Sequence, residues 1–354
     1  MIIYSKNSNL NNAAYGKFQT PIRMVIENES DILSKKGGVR DWLFNVEKSN
    51  RFGETIINHN EFSTFLPVSE GSSAETDTSV QTGYKFIEHI QYMKEFIVTA
   101  EMLEDSIYGL GADAKRRAES FTRAYYKTMN YLCEYVLANG TFELIDYGNT
   151  NLNISTADNY PLFYKNHKWG TSTAISGTQS NAFYGNLCTT GTGSDKKYSV
   201  DAFEEALAEL TVKIRNMKDE NGKPMGYNAD TLILPCNRGK LEQIAKKVCG
   251  SEYAAGVGND GINLHYGRWN VIVLPHWQSG DDRFMVMSSE ANKNLSGNMF
   301  FNRVPLTITD WVDHHTGNYY WSGRCRFGIG FGSYKHILLA VDSTNDLSSE
   351  YTKI

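Results

Sequence analysis

The chain has 354 residues, more than a single compact core usually holds, so we expect about two structural units. Hydrophobic residues make up 41% and aromatic residues 12%, which is enough to bury a core and excludes a wholly disordered chain. The net charge of -5 argues against a protein that coats duplex DNA tightly, because such proteins need an excess of basic side chains.

Cysteine usage and hydropathy argue against metal-binding and membrane-spanning proteins. The five cysteines are scattered and include no C-x-x-C pair, so we expect free thiols in a reducing compartment and neither a metal site nor a cofactor. Apolar runs such as 337–341 are far shorter than the ~18 residues that span a bilayer, and the polar N-terminus lacks a signal-peptide core. We therefore expect no membrane association.

Residues 1–61 are polar and rich in Asn, which favours an arm over an independent domain. One short helix is predicted there, from Glu29 to Lys36, ended by two glycines.

Residues 83–99 alternate with period two, which is typical of a strand. At ~3.3 Å per residue this strand would extend ~50 Å, well beyond the usual five or six residues. The even positions hold the large apolar side chains: Tyr84, Phe86, Ile90, Tyr92, Phe96 and Val98.

The predicted partner of this strand is Phe62–Val68, and the intervening residues 69–81 are small, polar and without a basic side chain. The sequence thus predicts a long hairpin with an acidic tip. Since an isolated two-stranded hairpin is marginal in water, we expect contact with another chain to steady it. The alternative is that both strands lie on the surface of their own domain.

Helices and α/β segments follow. Thr99 is a candidate cap for a short helix that continues to Tyr108, and a long amphipathic helix is predicted over about 112–138. The basic run Lys115-Arg116-Arg117 favours a solvated helix face over a phosphate contact. Residues 147–197 predict an irregular region with short strands.

The remaining segments alternate between helices and strands and then become mostly strand. Alternating glycines at 328, 330 and 332 predict close packing of one strand face. The predicted elements are a helix capped by Ser199, strand 229–234, helix 238–249, strands 270–274 and 283–287, and strands 304–311, 319–331 and 335–341.

No enzyme signature occurs in the sequence. Residues 256–261 spell G-x-G-x-x-G, but neither the preceding strand nor the following helix of a dinucleotide site is predicted, so a glycine loop is favoured. His314 and His315 point to opposite faces of a strand and are poorly placed to share a metal, and Asp281-Asp282 beside Gly280 indicates a turn. We therefore expect no catalytic residue.

The order of the elements resembles the major capsid proteins of tailed double-stranded DNA bacteriophages, which have the HK97-like fold. The stretches that carry the resemblance are Phe96–Asp105, Asn221–Pro224, Ala229–Pro235, Gly267–Pro275, and Arg324–Tyr334 followed by 337–339.

This resemblance implies an α+β fold with an N-terminal arm, an extended hairpin (the E-loop), a peripheral domain with a long spine helix, and an α/β axial domain. The implied boundaries are 1–61 for the arm, 62–98 for the hairpin, 99–160 with 304–345 for the peripheral domain, 161–303 for the axial domain, and 346–354 for a tail.

The resemblance also implies a homo-oligomeric function. Pentamers and hexamers would form an icosahedral shell around packaged DNA that they contact weakly, in a virion assembled in the bacterial cytoplasm. Implied partners are a separate scaffolding protein, a portal protein and cement proteins. The predicted inter-subunit contacts are the arm, Glu70, Glu75, Asp77, Lys85, His89, Gly256, Gly258 and Gly261.

Two alternatives stay open at this point. An encapsulin-like nanocompartment shell of the same fold would enclose a cargo enzyme in place of a genome. An α/β enzyme built on residues 199–290 would need a deep pocket in a monomeric protein.

Overall fold

The computed structural model describes residues 3–4, 13–59, 65–73, 76, 81–104, 112–169, 177–191, 197–252 and 263–343. Its helices are α1 (Ala13–Lys36), α2 (Val39–Leu43), α3 (Ala100–Glu104), α4 (Ala112–Ala138), α5 (Val200–Arg215), α6 (Gly239–Gly250) and α7 (Ser289–Asn294).

The first nine strands are β1 (Ile3–Tyr4), β2 (Asn45–Lys48), β3 (Gly53–His59), β4 (Gln81–Glu88), β5 (Ile90–Val98), β6 (Leu144–Tyr147), β7 (Thr150–Asn153), β8 (His167–Trp169) and β9 (Gly177–Gln179). The others are β10 (Ala182–Gly185), β11 (Thr189–Thr190), β12 (Lys197–Tyr198), β13 (Thr231–Pro235), β14 (Asn270–Leu274), β15 (Arg283–Met287), β16 (Asn298–Val312), β17 (Tyr319–Phe331) and β18 (Ile337–Asp342).

The chain divides into two compact units. Unit 1 comprises residues 1–54, 88–133 and 300–329, and unit 2 comprises residues 55–87, 134–299 and 330–354.

Unit 1 is built on a sheet of order β1-β16-β17-β5, to which β2 is added beside β16. Strand β5 runs antiparallel to β17, with Val98 opposite Tyr319 and Ile90 opposite Phe327. Apolar side chains of α1 and α4 pack on this sheet, because each helix carries an apolar stripe at three- and four-residue spacing. The resulting core contains Ile22, Ile26, Ala118, Phe121, Leu306, Ile308 and Trp321.

Unit 2 contains a second sheet, of order β10-β18-β15-β13-β14. Strand β13 lies parallel to β14 and antiparallel to β15, and its five residues are all buried. Helix α5 starts at the predicted cap Ser199, whose side chain accepts from the N–H of Ala202, and it buries an apolar stripe from Phe203 to Ile214. Helix α6 contributes Leu241, Ala245 and Val248 to the same core.

The long helix, the capped helix and the late strands are confirmed. The bounds of β14, β15 and β17 are those predicted, and α4 covers the predicted residues 112–138. Lys115, Arg116 and Arg117 are exposed, as expected of a solvated face. The end of the predicted helix at Tyr108 lies outside the described residues, and α3 is described to Glu104 with Thr99 Oγ1 accepting from the N–H of Met102.

The helix predicted over Glu29–Lys36 was too short. Helix α1 begins at Ala13 and passes through Pro21. Proline removes one helical hydrogen bond, but Ile22 and Ile26, one turn apart, are 2% and 0% exposed in the core of unit 1. Tertiary packing of this face therefore outweighs the local cost.

The predicted hairpin partner, Phe62–Val68, was wrong for residues 65–68, and residues 62–64 lie outside the described residues. Strand β4 pairs with β3, which lies earlier in the chain, and residues 65–69 are exposed and form no strand. The connection between the two strands is consequently longer than predicted. We call residues 53–88, from the start of β3 to the end of β4, the hairpin.

Candidate inter-subunit surface

The inner face of the hairpin is buried against other residues of unit 2 in the same chain. Ile56 and Ile87 are 8% and 3% exposed. A Cβ at Gly330 would lie 2.7 Å from Ile87 Cδ1, and a Cβ at Gly332 would lie 3.0 Å from Ile56 Cγ2. The predicted packing role is thereby confirmed for these two glycines, which leave room for the hairpin side chains.

Lys85 shares this inner face and is 4% exposed. Its ammonium group donates to Asn153 Oδ1 at 2.5 Å and to Ser155 Oγ at 2.9 Å. Burial lowers the pKa of Lys85 to about 8, and the nearby Glu143 carboxylate partly opposes that shift. The lysine predicted to face a neighbouring subunit is thus engaged within its own chain.

His89 is also buried, at 2% exposure, between β4 and β5. Its Nδ1 lies 2.8 Å from the carbonyl oxygen of Phe52, and its ring meets that of Phe301 edge-on at 6.3 Å. Arg326 Nε donates to the His89 carbonyl at 3.0 Å. These contacts join the strands of unit 1 and leave the ring turned away from solvent.

Of the predicted tip residues, Glu70 is described and exposed. It occupies a tight turn in which the N–H of Ser72 donates to the Ser69 carbonyl, and Gly71 supplies the positive φ of +83° that this turn needs. The turn therefore presents the Glu70 carboxylate to solvent. The other predicted contacts lie outside the described residues: Glu75, Asp77, Gly256, Gly258 and Gly261.

The outer face of the hairpin exposes large apolar side chains. Ile57, Tyr84 and Phe86 are 45%, 63% and 47% exposed. They continue into the connection, where Phe65 is fully exposed and Leu66 and Val68 are more than half exposed. Single exposed apolar residues are common, but a run of this kind on one element marks an interaction surface.

The alternation placed Tyr84 and Phe86 on one face of the predicted strand but did not identify them as surface residues. The alternation changes phase at His89: odd positions are buried in β4, whereas the less exposed side chains of β5 lie at even positions. Both faces of β4 carry apolar side chains, so a period of two locates the strand without saying which face is covered. The missing signal was the interruption at residue 89 between the two strands.

Unit 2 contains a cavity of about 350 Å³, and three of the charged side chains that line it, Asp158, Glu220 and Lys335, form pairs within the chain. Lys335 donates to Glu220 at 2.5 Å, and His167 Nδ1 lies 2.7 Å from Asp158 Oδ2. Burial raises the pKa of Tyr334, whose protonated hydroxyl donates to the Lys168 carbonyl. Within the described ranges, no cluster of three or more potential metal ligands occurs.

Within the same ranges, no helix is long and apolar enough to cross a membrane. None of the five cysteines forms a disulfide; four of them are buried and Cys236 is half-buried.

No protein-family model matches the sequence. No curated protein matches it either. Among solved structures, the chain is similar to the capsid structure of the cyanophage P-SCSP1u, with a TM-score of 0.52 and 10% identity over 87% of this chain and 89% of that chain. The chain has the HK97-like capsid fold.

Two further similar structures have TM-scores below 0.5. The capsid of a native GTA particle gives a TM-score of 0.49 at 11% identity, covering 86% of this chain and 90% of that chain. A virus-like particle from Pyrococcus furiosus gives 0.46 at 10% identity, covering 91% and 98%. In this capsid fold, most of the large apolar side chains that the described residues expose lie between Met24 and Ile97, in the segments around and within the hairpin.

Proposed function

We propose that this chain is the major capsid protein of a tailed double-stranded DNA bacteriophage. Copies of the chain assemble into pentamers and hexamers, and these form an icosahedral shell around the packaged genome. The observation that carries the proposal is the capsid fold. The similarity to the cyanophage capsid structure covers 87% of this chain.

The exposed apolar surface supports self-assembly. Ile57, Tyr84 and Phe86 of the hairpin and Phe65 of the connection form an exposed apolar surface, which is unfavourable in water. A shell buries such surface at every repeat, so contacts that are weak in one pair of subunits add up over the particle. Contact residues in this proposal are therefore the outer face of the hairpin and the Glu70 turn, with the glycine loop 256–261 as a further contact.

The charge of the chain supports an enclosing function. With 35 basic and 40 acidic side chains, the chain lacks the basic excess that grips phosphates through counterion release. A shell wall of this composition lets DNA enter and leave without adhering strongly. The portal, scaffolding and cement partners and the location in a virion belong to the same proposal.

Electron microscopy of the purified full-length chain tests the proposal. After expression in bacteria we expect icosahedral particles, tubular polyheads or isolated capsomers. A protein that stays monomeric at high concentration, also when a candidate scaffolding protein is added, contradicts the proposal.

The contents of particles from the native source test whether the shell encloses a genome. We expect nuclease-protected double-stranded DNA inside. Particles that hold an enzyme and no genome would instead identify a nanocompartment shell.

A further inference from the structure

Two arginines of unit 2 lie beside each other at the C-terminal end of helix α5. Arg215 is the last residue of α5, and its Nε donates to Asn228 Oδ1 at 2.7 Å. Arg268 lies in the turn before β14 and donates from Nη2 to Thr211 Oγ1 at 3.3 Å. Because Thr211 and Arg215 are four residues apart, they share one face of the helix and are separated by about 6 Å along its axis. The two guanidinium groups are therefore neighbours on the surface of unit 2.

Arg268 is held in a defined position before any ligand binds. Its guanidinium carbon lies 5.2 Å from the centre of the Trp269 ring, in a cation–π contact. Trp269 is itself buried, and its Nε1 donates to His265 Nδ1 at 3.1 Å. A side chain fixed in this way loses less conformational entropy on binding than a mobile one, so Arg268 is suited to a binding site.

Most N–H donors of the two arginines are unused within the described part of the chain. A guanidinium group carries five N–H donors, and the side chains of Arg215 and Arg268 each make one hydrogen bond there. Neither arginine forms an ion pair with a carboxylate among the described residues. By contrast, Arg23, Arg123 and Arg283 each pair with a carboxylate of the chain. The pair thus leaves donors and charge available to an external anion.

The surroundings of the two arginines have a positive potential. Burial and the nearby Arg215 charge lower the pKa of the Arg268 guanidinium. Burial and the Arg268 charge likewise lower the pKa of His265. Nearby positive charge contributes to both shifts, because a like charge disfavours the protonated form. A bound anion would relieve this repulsion.

Phosphate is the anion that matches two adjacent guanidinium groups. Each planar guanidinium donates two parallel N–H bonds, and the oxygens of a phosphate group can accept from both sides. Arg215 is exposed and Arg268 is half-buried, so the site opens to solvent and is accessible to a phosphate within a polymer. Under the proposed function, the packaged genome supplies phosphodiesters at high local concentration on one side of the shell.

We infer that Arg215 and Arg268 together bind a phosphodiester of the packaged DNA, and that the C-terminal end of α5 faces the interior of the shell. The inference rests on the proposed function and names the residues of the weak DNA contact. Two cations in each copy neutralise one or two phosphates, which agrees with a chain of net charge -5 that does not grip DNA tightly.

Duplex binding by the purified full-length chain tests the site. Fluorescence anisotropy of a short labelled duplex, measured over a salt series, gives the affinity and its salt dependence. Arg215→Gln and Arg268→Gln should each lower the affinity about threefold to tenfold at low salt, and each should reduce the slope of log K against log salt by about 1. Arg268→Lys keeps the charge and should keep most of that slope.

Lys213→Gln is the matched control for these variants. It removes one positive charge from the same helix, but Lys213 lies over the Phe183 ring and beside Glu209. The affinity of this variant and its salt slope should stay close to those of the wild type. Equal loss in Lys213→Gln and Arg268→Gln would show that net charge alone controls binding, and this overturns the site.

A competition experiment distinguishes DNA from free phosphate as the ligand. Duplex should bind the wild-type chain more tightly than inorganic phosphate does, because neighbouring phosphodiesters and released counterions add to the affinity. If Arg268→Gln loses binding of inorganic phosphate but keeps the duplex affinity of the wild type, the site holds free phosphate and the assignment to DNA is wrong.

Arginine modification in particles tests the orientation of the site. Phenylglyoxal should label Arg215 much less in DNA-filled particles than in particles that have released their DNA. Arg116, whose side chain is 78% exposed, is the control and should be labelled equally in both. Equal labelling of Arg215 overturns the inference, and so does binding of external duplex to intact empty particles through Arg215. A wild-type chain that forms no particles overturns the proposed function itself, whereas assembly with unchanged duplex binding in both arginine variants overturns this site alone.

Discussion

Lys85 Nζ lies 2.5 Å from Asn153 Oδ1, so the hairpin strand β4 is tied to the end of β7 by a buried, charged hydrogen bond. The lysine has almost no contact with solvent, and burial lowers its pKa from 10.5 to about 8. The ammonium form is accordingly less favoured in the folded chain than in the unfolded one.

This predicts a defined pH dependence for Lys85→Met. Between about pH 8 and pH 10.5 the unfolded wild-type chain binds more protons at this site than the folded chain, so its free energy of unfolding rises with pH. The difference between wild type and Lys85→Met should therefore increase by about 3 kcal/mol across this interval and be flat from pH 6 to 8. Urea unfolding followed by tryptophan fluorescence measures it, and a difference that stays flat above pH 8 would show that the site is not desolvated.

Glu134, near the end of α4, predicts a second stability effect. Its carboxylate is 2% exposed and accepts from the backbone N–H of His276 at 2.7 Å and from His276 Nδ1 at 3.1 Å. Glu134→Ala removes both bonds and should lower the free energy of unfolding by about 1–3 kcal/mol. Glu134→Gln keeps an acceptor oxygen in place and should cost clearly less. Faster hydrogen exchange of the His276 amide in Glu134→Ala would locate the effect at these hydrogen bonds. Equal losses of unfolding free energy in both variants would contradict a contribution from them.

Gly332, beneath the hairpin, predicts a steric effect. A Cβ there would lie 2.3 Å from the carbonyl oxygen of Ser296, and backbone atoms cannot move aside as a flexible side chain can. Gly332→Ala should cost about 1–3 kcal/mol of stability and loosen the hairpin. Gly239→Ala is the control, because no atom lies within 4 Å of its Cβ at the start of α6, and it should be neutral or slightly stabilising. Thermal unfolding compares the two, and equal melting temperatures would contradict the close approach.

Local sequence patterns predicted the elements that are marked by a helix cap or by a continuous apolar run. Helix α5 has a serine cap and a buried stripe at helical spacing, and β14, β15 and β17 have the bounds that their apolar runs indicate. Helix α1 was mostly missed because Pro21 and the preceding Asn-rich residues argue against a helix, whereas Ile22 and Ile26 are stabilised by side chains distant in sequence.

The candidate surface was less predictable than the fold, for the same physical reason. Whether Lys85 or Tyr84 faces water depends on which face of β4 meets Asn153 and Gly330, and periodicity alone does not carry that information. The acidic, exposed character of Glu70 was predictable, because it follows from composition and turn chemistry without any tertiary contact.

Asp310 of β16 gives the last prediction, with a pH dependence opposite to that of Lys85. It is 1% exposed and accepts from Arg23 at 2.9 Å, yet burial raises its pKa to about 6, with a backbone hydrogen bond opposing the rise. Between pH 3.8 and about 6 the folded chain binds more protons here than the unfolded chain, so the free energy of unfolding falls as pH rises. Relative to Asp310→Asn, the wild type should lose about 3 kcal/mol across that interval.

Asp313, three residues further along, provides the matched control for Asp310. It is only partly covered, and the hydrogen bonds from the His315 N–H and the Thr316 hydroxyl lower its pKa below 3.8. The difference between wild type and Asp313→Asn should therefore rise with pH near and below pH 3.8 and be flat from pH 5 to 7. Urea unfolding at pH 3 to 7 measures both variants, and the same sign for both would mean that burial does not control the titration of Asp310.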